Sequence, residues 1–362
     1  LNSSPVVHWL CNIKLVQGGL FRLPYWKYVD TGNQIILLQH QAPEENEIPA
    51  ALLHRDITVK SERFIEADLV YYPSGSCAFI ISWNHILLDA KGTTLLFEHL
   101  NQISENKTED VDLFFPSKEK RVPFMAYIKN MYKVKKFVQV SARPPVSSVA
   151  KQATKSQDGK TYTKTISFSN EETEKINKKA LKTGSRFGPT LYLIACCSHV
   201  IHFINKQRNN AGDLWLPVPY DGRLRGAAGP LISNCVSFLF YRIPVSELNN
   251  LPQTIKYLAA QMRTQIKDGI PRQYSMFLNM MRYIPLWLYY FLIYKTNKGV
   301  FASFLFTSAG DNFNGLKTLF GEPIKNINII PALTFPPGLT FVFLNHNDAF
   351  NLNITYSPEV IS

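Results

Sequence analysis

The sequence predicts an α/β protein of two lobes, 1–145 and 162–362, joined by a linker at 146–161. Three observations lead there. The chain has 362 residues, enough for two ordinary domains or one large two-lobed unit. Hydrophobic residues make up 46% and charged residues 18%, which is a globular rather than a disordered balance. Strand-like and helix-like runs occur on both sides of "SARPPVSSVAKQATKSQDGKT" (141–161), a polar stretch rich in Pro, Ser and Lys with no periodicity.

In the first lobe, "QIILLQ" (34–39) reads as a short strand after a "DTGN" turn. "RFIEADLVYY" and "SCAFIISW", joined through "PSGS", read as a hairpin. "TTLLFEHLNQI" (93–103) then has the apolar spacing of an amphipathic helix. The second lobe opens with the strand "TYTKTISFS". The helix "NEETEKINKKALKTG" follows, with Asn170 as its expected cap, acidic residues in its first turn and Gly184 at its close. "GPTLYLIACCSHVIHFINKQR" is expected to be a long, mostly buried helix. "LWLPVPYDGRLRG" and "NCVSFLFYRIP" read as strands around a loop, and "LPQTIKYLAAQMRTQIKDG" as an amphipathic helix. Residues 276–294 are expected to be largely helical, and "FASFLFTSAG", "LTFVFLNHN" and "FNLNITYSP" to be strands.

A net charge of +12 and a pI near 9.3 favour acidic partners: a phosphorylated cofactor, nucleic acid or an anionic membrane face. No Arg-rich helix or zinc-finger spacing supports nucleic acid, so none is expected. The five cysteines lack metal-type spacing and sit in apolar stretches. They read as buried free thiols of a reducing compartment, and a cytoplasmic location is expected. "LNSSPVVHWLCNIKLV" lacks the pattern of a secretion signal, and "IPLWLYYFLIY", at 11 residues, is shorter than a bilayer span. The Met- and aromatic-rich stretch 276–298, flanked by Arg282, Lys295 and Lys298, fits peripheral membrane contact or a helix buried in the second lobe. His199 and His202 fall at i and i+3 on an apolar helix, but no third ligand has matching spacing, so no metal is expected. There is no G-x-S-x-G elbow and no phosphate-cradling glycine loop.

One stretch carries chemistry. "SWNHILLDAKG" (82–92) places His85 four residues before Asp89, where the second hairpin strand gives way to a loop and helix. Spacing alone favours an ordinary satisfied histidine, because such pairs arise readily by chance. The wider order says more: hairpin, H-x-x-x-D at a strand end, amphipathic helix, linker, second lobe. It resembles the superfamily of chloramphenicol acetyltransferase, the condensation domains of nonribosomal peptide synthetases and the wax ester synthase/diacylglycerol acyltransferases, and is closest in texture to the last. The family signature H-H-x-x-x-D-G reads here with Asn84 for the first histidine and Ala90 for the glycine. "LPVPYDGRLRG" with "ISNCVSFLFYRIP", "FLFTSAGDN", and "PPGLTFVFLNHNDAFNLNITYSP" follow in the family's order. Two family helices find no counterpart in this sequence, one before "FRLPYW" and one after "YSP", so either the member is abbreviated or part of it lies outside these residues.

The resemblance implies two lobes, each with a mostly antiparallel mixed sheet, and an active-site tunnel between them. It implies an acyl-CoA-dependent O-acyltransferase with His85 as general base, and no bound cofactor beyond acyl-coenzyme A as co-substrate. Asp89 would pair with Arg223 or Arg225 and so fix the histidine loop. Thr307, Ser308 and Asn84 are its candidates for stabilising the oxyanion or lining the tunnel. The acyl group would be long-chain or otherwise hydrophobic, and the acceptor a hydroxyl or amine. A condensation-type domain acting on carrier-protein thioesters, and a non-catalytic binding module, are the alternatives.

Overall fold

The computed structural model describes residues 1–16, 24–58, 60–106, 123–150, 161–223, 232–282, 284–285, 287–288 and 302–361. The chain begins with α1 (Pro5–Cys11), β1 (Ile13–Val16), β2 (Tyr25–Tyr28), β3 (Leu37–Gln41) and α2 (Ala50–Leu53). It continues with β4 (Ile65–Tyr71), β5 (Cys77–Trp83), α3 (Ala90–Ser104), α4 (Phe124–Ser141), β6 (Tyr162–Ser167), α5 (Asn170–Lys182) and α6 (Thr190–Gln207). Next come β7 (Leu214–Asp221), β8 (Val236–Ile243), α7 (Leu251–Lys267) and α8 (Ile270–Met281). The last elements are β9 (Leu305–Gly310), β10 (Thr318–Leu319), β11 (Glu322–Pro323), β12 (Leu339–His346) and β13 (Ala349–Tyr356).

These elements form two units, and chain order does not divide them. The first comprises Leu1–Pro116, Gly226–Cys235 and Thr318–Pro323. Its sheet has the order β3-β4-β5, with β3 parallel to β4 and β4 antiparallel to β5. The expected hairpin is present, and its turn places Gly75 at φ +82, a backbone conformation that favours glycine. Ile65, Ala67 and Ile81 on one face of this sheet join Leu88, Leu95, Leu96 and Leu100 of the histidine loop and α3 in a single apolar core. Ile232 is buried in that same core, and Phe320 meets Phe79 edge-on at 5.6 Å, so both late segments are integral to the unit. On the other side of β4, buried Asp68 accepts hydrogen bonds from His40 and from both Nη atoms of Arg55.

The second unit comprises Ser117–Arg225, Val236–Lys317 and Ile324–Ser362. Its main sheet runs β6-β13-β12-β9, antiparallel except for the β12–β9 pair. β7 and β8 form an antiparallel pair. α6 is the mostly buried helix the sequence predicts: Leu191, Ile194, Ala195 and Ile201 lie in the core with Leu214, Leu216, Phe304, Phe306 and Phe341. α4 precedes the stretch expected to link two lobes, yet it groups with this unit. Its Val134, and Ala142 just beyond it, pack with Trp215, Phe240 and Ile270. Arg242 fixes the chain after α4, donating to Asp213 and to the carbonyls of Ser141, Arg143 and Pro145. Residues 151–160 of the expected linker lie outside the described residues.

Two local expectations are corrected, the cap of α5 and the burial of the cysteines. Ser169, not Asn170, caps α5: its hydroxyl accepts from the Glu172 N–H while the Glu172 carboxylate accepts from the Ser169 N–H. This reciprocal pair satisfies two end groups at once, and Asn170 instead donates to the Asn347 carbonyl. Of the helix expected over 276–294, α8 covers the chain as far as Met281, where Phe277 packs beside Tyr274, which meets Phe240 edge-on, and Trp287 and Leu288 are again helical. The rest of that stretch is described only at 282, 284–285 and 287–288. All five cysteines are free, but only Cys11 and Cys197 are buried, and Cys77 is exposed. Among the described residues no helix is long and apolar enough to cross a membrane.

Candidate active site

β5 delivers the chain to loop 84–89, and α3 carries it away. The loop is pinned at both ends. The Asn84 N–H donates to the Phe64 carbonyl and its side-chain amide to the Ile57 carbonyl at 2.6 Å, while its Oδ1 accepts from the Ile86 N–H at 3.0 Å. That last bond is an Asx turn, in which the side chain replaces a backbone partner. The Trp83 indole donates to the Leu88 carbonyl at 3.0 Å. Leu87 and Leu88 insert into the core at 4% and 0% exposure, while His85 and Ile86 between these anchors face solvent. His85 is therefore not the half-buried histidine that spacing alone favours.

Asp89 sets the far end. It is the N-cap of α3, with Oδ1 accepting from the Gly92 N–H at 2.7 Å. A carboxylate there also opposes the positive end of the helix dipole. Its other oxygen, Oδ2, accepts from the backbone N–H of Cys235 at 2.8 Å, so one buried carboxylate holds two segments 146 residues apart. Asn234, the preceding residue, donates through Nδ2 to the His85 carbonyl at 2.6 Å, and the same nitrogen stands 3.5 Å from His85 Nδ1. Burial of Ile232 brings this segment to the loop.

The two departures from the family signature have local explanations. Ala90 is the first helical residue after the cap, a position that needs no glycine. Asn84 holds its own turn, so its amide, a candidate for facing the reacting atoms, is engaged by the loop.

Thr307 and Ser308 lie on β9 of the second unit, in register with Val342 and Phe343 and next to a shift between Phe343 and Leu344. The Ser308 hydroxyl accepts from the Gly310 N–H at 3.3 Å. Arg223 follows β7, and its Nη1 donates to Asp221 at 3.0 Å. Arg225 lies outside the described residues. His199 bonds the Thr254 hydroxyl at 2.9 Å; burial, and then the neighbouring His202, hold its imidazole below the usual range. Among the described residues no three ligating side chains come together as a metal site.

Sequence reasoning missed Asn234 and Cys235 as partners of the histidine loop. The available signal was "ISNCVSF", an Asn-Cys pair directly before a strand, but a backbone N–H leaves no trace in residue identity.

No protein-family model and no curated protein matches the chain in sequence. Solved structures do match it. It is similar to the TRI3 trichothecene 15-O-acetyltransferase from Fusarium sporotrichioides at a TM-score of 0.66 and 13% identity, covering 98% of this chain and 79% of that one. It is similar to the first condensation domain of the calcium-dependent antibiotic synthetase, in complex with a substrate analogue, at 0.62 and 14%, covering 99% and 81%. The starter condensation domain of rhizomide synthetase matches at 0.57 and 10%, over 97% and 78%. The chain carries the mixed α/β fold of these condensation domains and this acetyltransferase.

Proposed function

We propose that this protein is an acyltransferase in which His85 acts as general base. One observation carries the proposal: an exposed imidazole stands on a short loop whose two ends are fixed by buried leucines, an Asx turn and a doubly bonded carboxylate. Such anchoring limits the histidine to few positions, as proton transfer at a reacting atom requires. The unprotonated imidazole nitrogen takes the acceptor's O–H proton as that oxygen bonds to the thioester carbonyl carbon. The resulting oxyanion calls for fixed donors, a role for which Thr307 and Ser308 are candidates on sequence resemblance alone. Collapse re-forms the carbonyl and breaks the C–S bond, and the imidazolium returns the proton to the departing thiolate.

The donor in this reading is a coenzyme A thioester, whose phosphates suit the +12 charge, and the acyl group is hydrophobic and long-chain, as in the wax ester synthase branch. A second reading, condensation of carrier-protein-bound thioesters, draws support from the condensation domains among the similar structures. The test is acceptor-dependent thiol release from acyl-coenzyme A donors of graded length, with native protein beside His85→Ala. Release that disappears in the variant supports the proposal. Release only from carrier-bound donors favours the second reading, and release equal in both proteins removes His85 from the chemistry.

A further inference from the structure

α4 buries one stripe and leaves a wide face open. Met131 and Val134 are buried, with Tyr127, Phe137 and Val138 half-buried on the same side. The opposite side exposes Met125 (76%), Ile128, Tyr132 (69%) and Val140. Positions 125, 128 and 132 form one continuous helical stripe. Lys129, Lys133 and Lys136 run along one edge of it and Lys135 along the other, all exposed. No acidic residue occurs anywhere from 120 to 157.

α8, which packs on α4, shares this bias. The Tyr127 hydroxyl donates to the Met276 carbonyl at 2.7 Å, and a hollow of ≈ 300 Å³ beside them is lined by Asn130, Gly269, Arg272, Gln273 and Met276. Arg272 is exposed at its edge, and Gln273 Oε1 is buried without a partner. Residues 269–310 contain no acidic residue either. Trp287, five positions beyond Arg282 in this stretch, is 71% exposed.

We propose that the open face of α4 docks on an anionic lipid bilayer. Large apolar side chains enter the headgroup boundary while lysines beside them reach lipid phosphates, the arrangement of a helix lying in a membrane interface. A bilayer suits this face better than an acidic protein, because flexible Met and amphipathic Tyr inserted among lysines match a fluid apolar layer under a charged surface. The proposal does not rest on the acyl-transfer reading, because vesicle binding is measured without turnover.

The experiment is co-sedimentation of the full chain with phosphatidylcholine vesicles, with and without phosphatidylserine, at low and high salt. Binding is expected only with phosphatidylserine, and should weaken with salt. Replacing Lys129, Lys133 and Lys136 together by Gln should weaken partitioning on the order of a hundredfold, at roughly fivefold per lysine. Met125→Ser with Tyr132→Ser should also weaken it, leaving a residual binding fully removed by salt. All five positions are exposed, so matching circular dichroism and Tm should confirm that the variants fold. Binding equal with and without phosphatidylserine, or unchanged in both variants, would overturn the proposal. So would lysine-dependent capture of an acidic carrier protein without vesicle binding.

Discussion

Asp89 should govern both stability and rate, and two substitutions separate the reasons. In Asp89→Ala the Gly92 and Cys235 N–H groups lose their acceptors, which stand at 2.7 and 2.8 Å. Hydrogen bonds to a charged acceptor contribute about 1.5–3 kcal/mol each, and a lost N-cap costs about 1. The bonds overlap with the cap, so the variant should be destabilised by about 3–5 kcal/mol. Asp89→Asn keeps a good cap for Gly92 but turns an amide N–H₂ toward the Cys235 N–H, so it should lose about half as much. Urea unfolding should therefore rank the midpoints native, Asn, Ala with an unchanged slope, and thiol release should fall in the same order. Two outcomes would refute this account. An alanine variant as stable as native would mean the carboxylate holds nothing. An asparagine variant as weak as alanine would place the whole effect in charge rather than in the cap.

His85→Ala should change stability by less than about 0.5 kcal/mol, since the side chain is exposed, while acceptor-dependent thiol release falls by about 10²–10⁴. Asn234→Ala removes the donor to the His85 carbonyl but leaves the Asp89–Cys235 bond; kcat should drop roughly tenfold, with KM little changed. For Asp68, burial alone would raise the carboxyl, but hydrogen bonds from Arg55 and then His40 outweigh it and hold the group below its usual range. Its stabilisation is therefore present at neutral pH and lost as pH falls below about 4 and through the depressed value. Asp68→Asn should lower the urea midpoint at pH 7 far more than at pH 3. Arg55→Ala, which leaves a buried carboxylate short of its main partner, should destabilise by about 3–5 kcal/mol at neutral pH.

What was legible in the sequence divides along a physical line. The β4–β5 hairpin, the histidine at its end and the helix after it are local patterns of alternation, turn residues and periodicity, and the structure has them all. α4 was legible as well but went unassigned: Tyr127, Met131, Val134 and Val138 repeat at helical spacing behind Pro123. The α5 cap was misplaced by one residue because Ser and Asn are both good caps, and only the reciprocal bond with Glu172 decides between them. The link from the histidine loop to Asn234 and Cys235 was beyond reach. It depends on a backbone N–H and on the burial of Ile232 among residues more than a hundred positions earlier, and neither leaves a pattern at the site itself.

The split make-up of the first unit also has a consequence for how the protein is born. During synthesis Asp89 leaves the ribosome 146 residues ahead of Cys235, an interval of roughly seven to thirty seconds at ordinary elongation rates. Through that interval the histidine loop lacks its far anchor, and Phe79 waits longer still for Phe320. A nascent chain stopped short of residue 234 would carry the H-x-x-x-D residues in a loop with its own turn and helix cap but without the ties from Asn234 and Cys235. The unit that displays His85 is thus finished only after its two late segments, Gly226–Cys235 and Thr318–Pro323, have both been made.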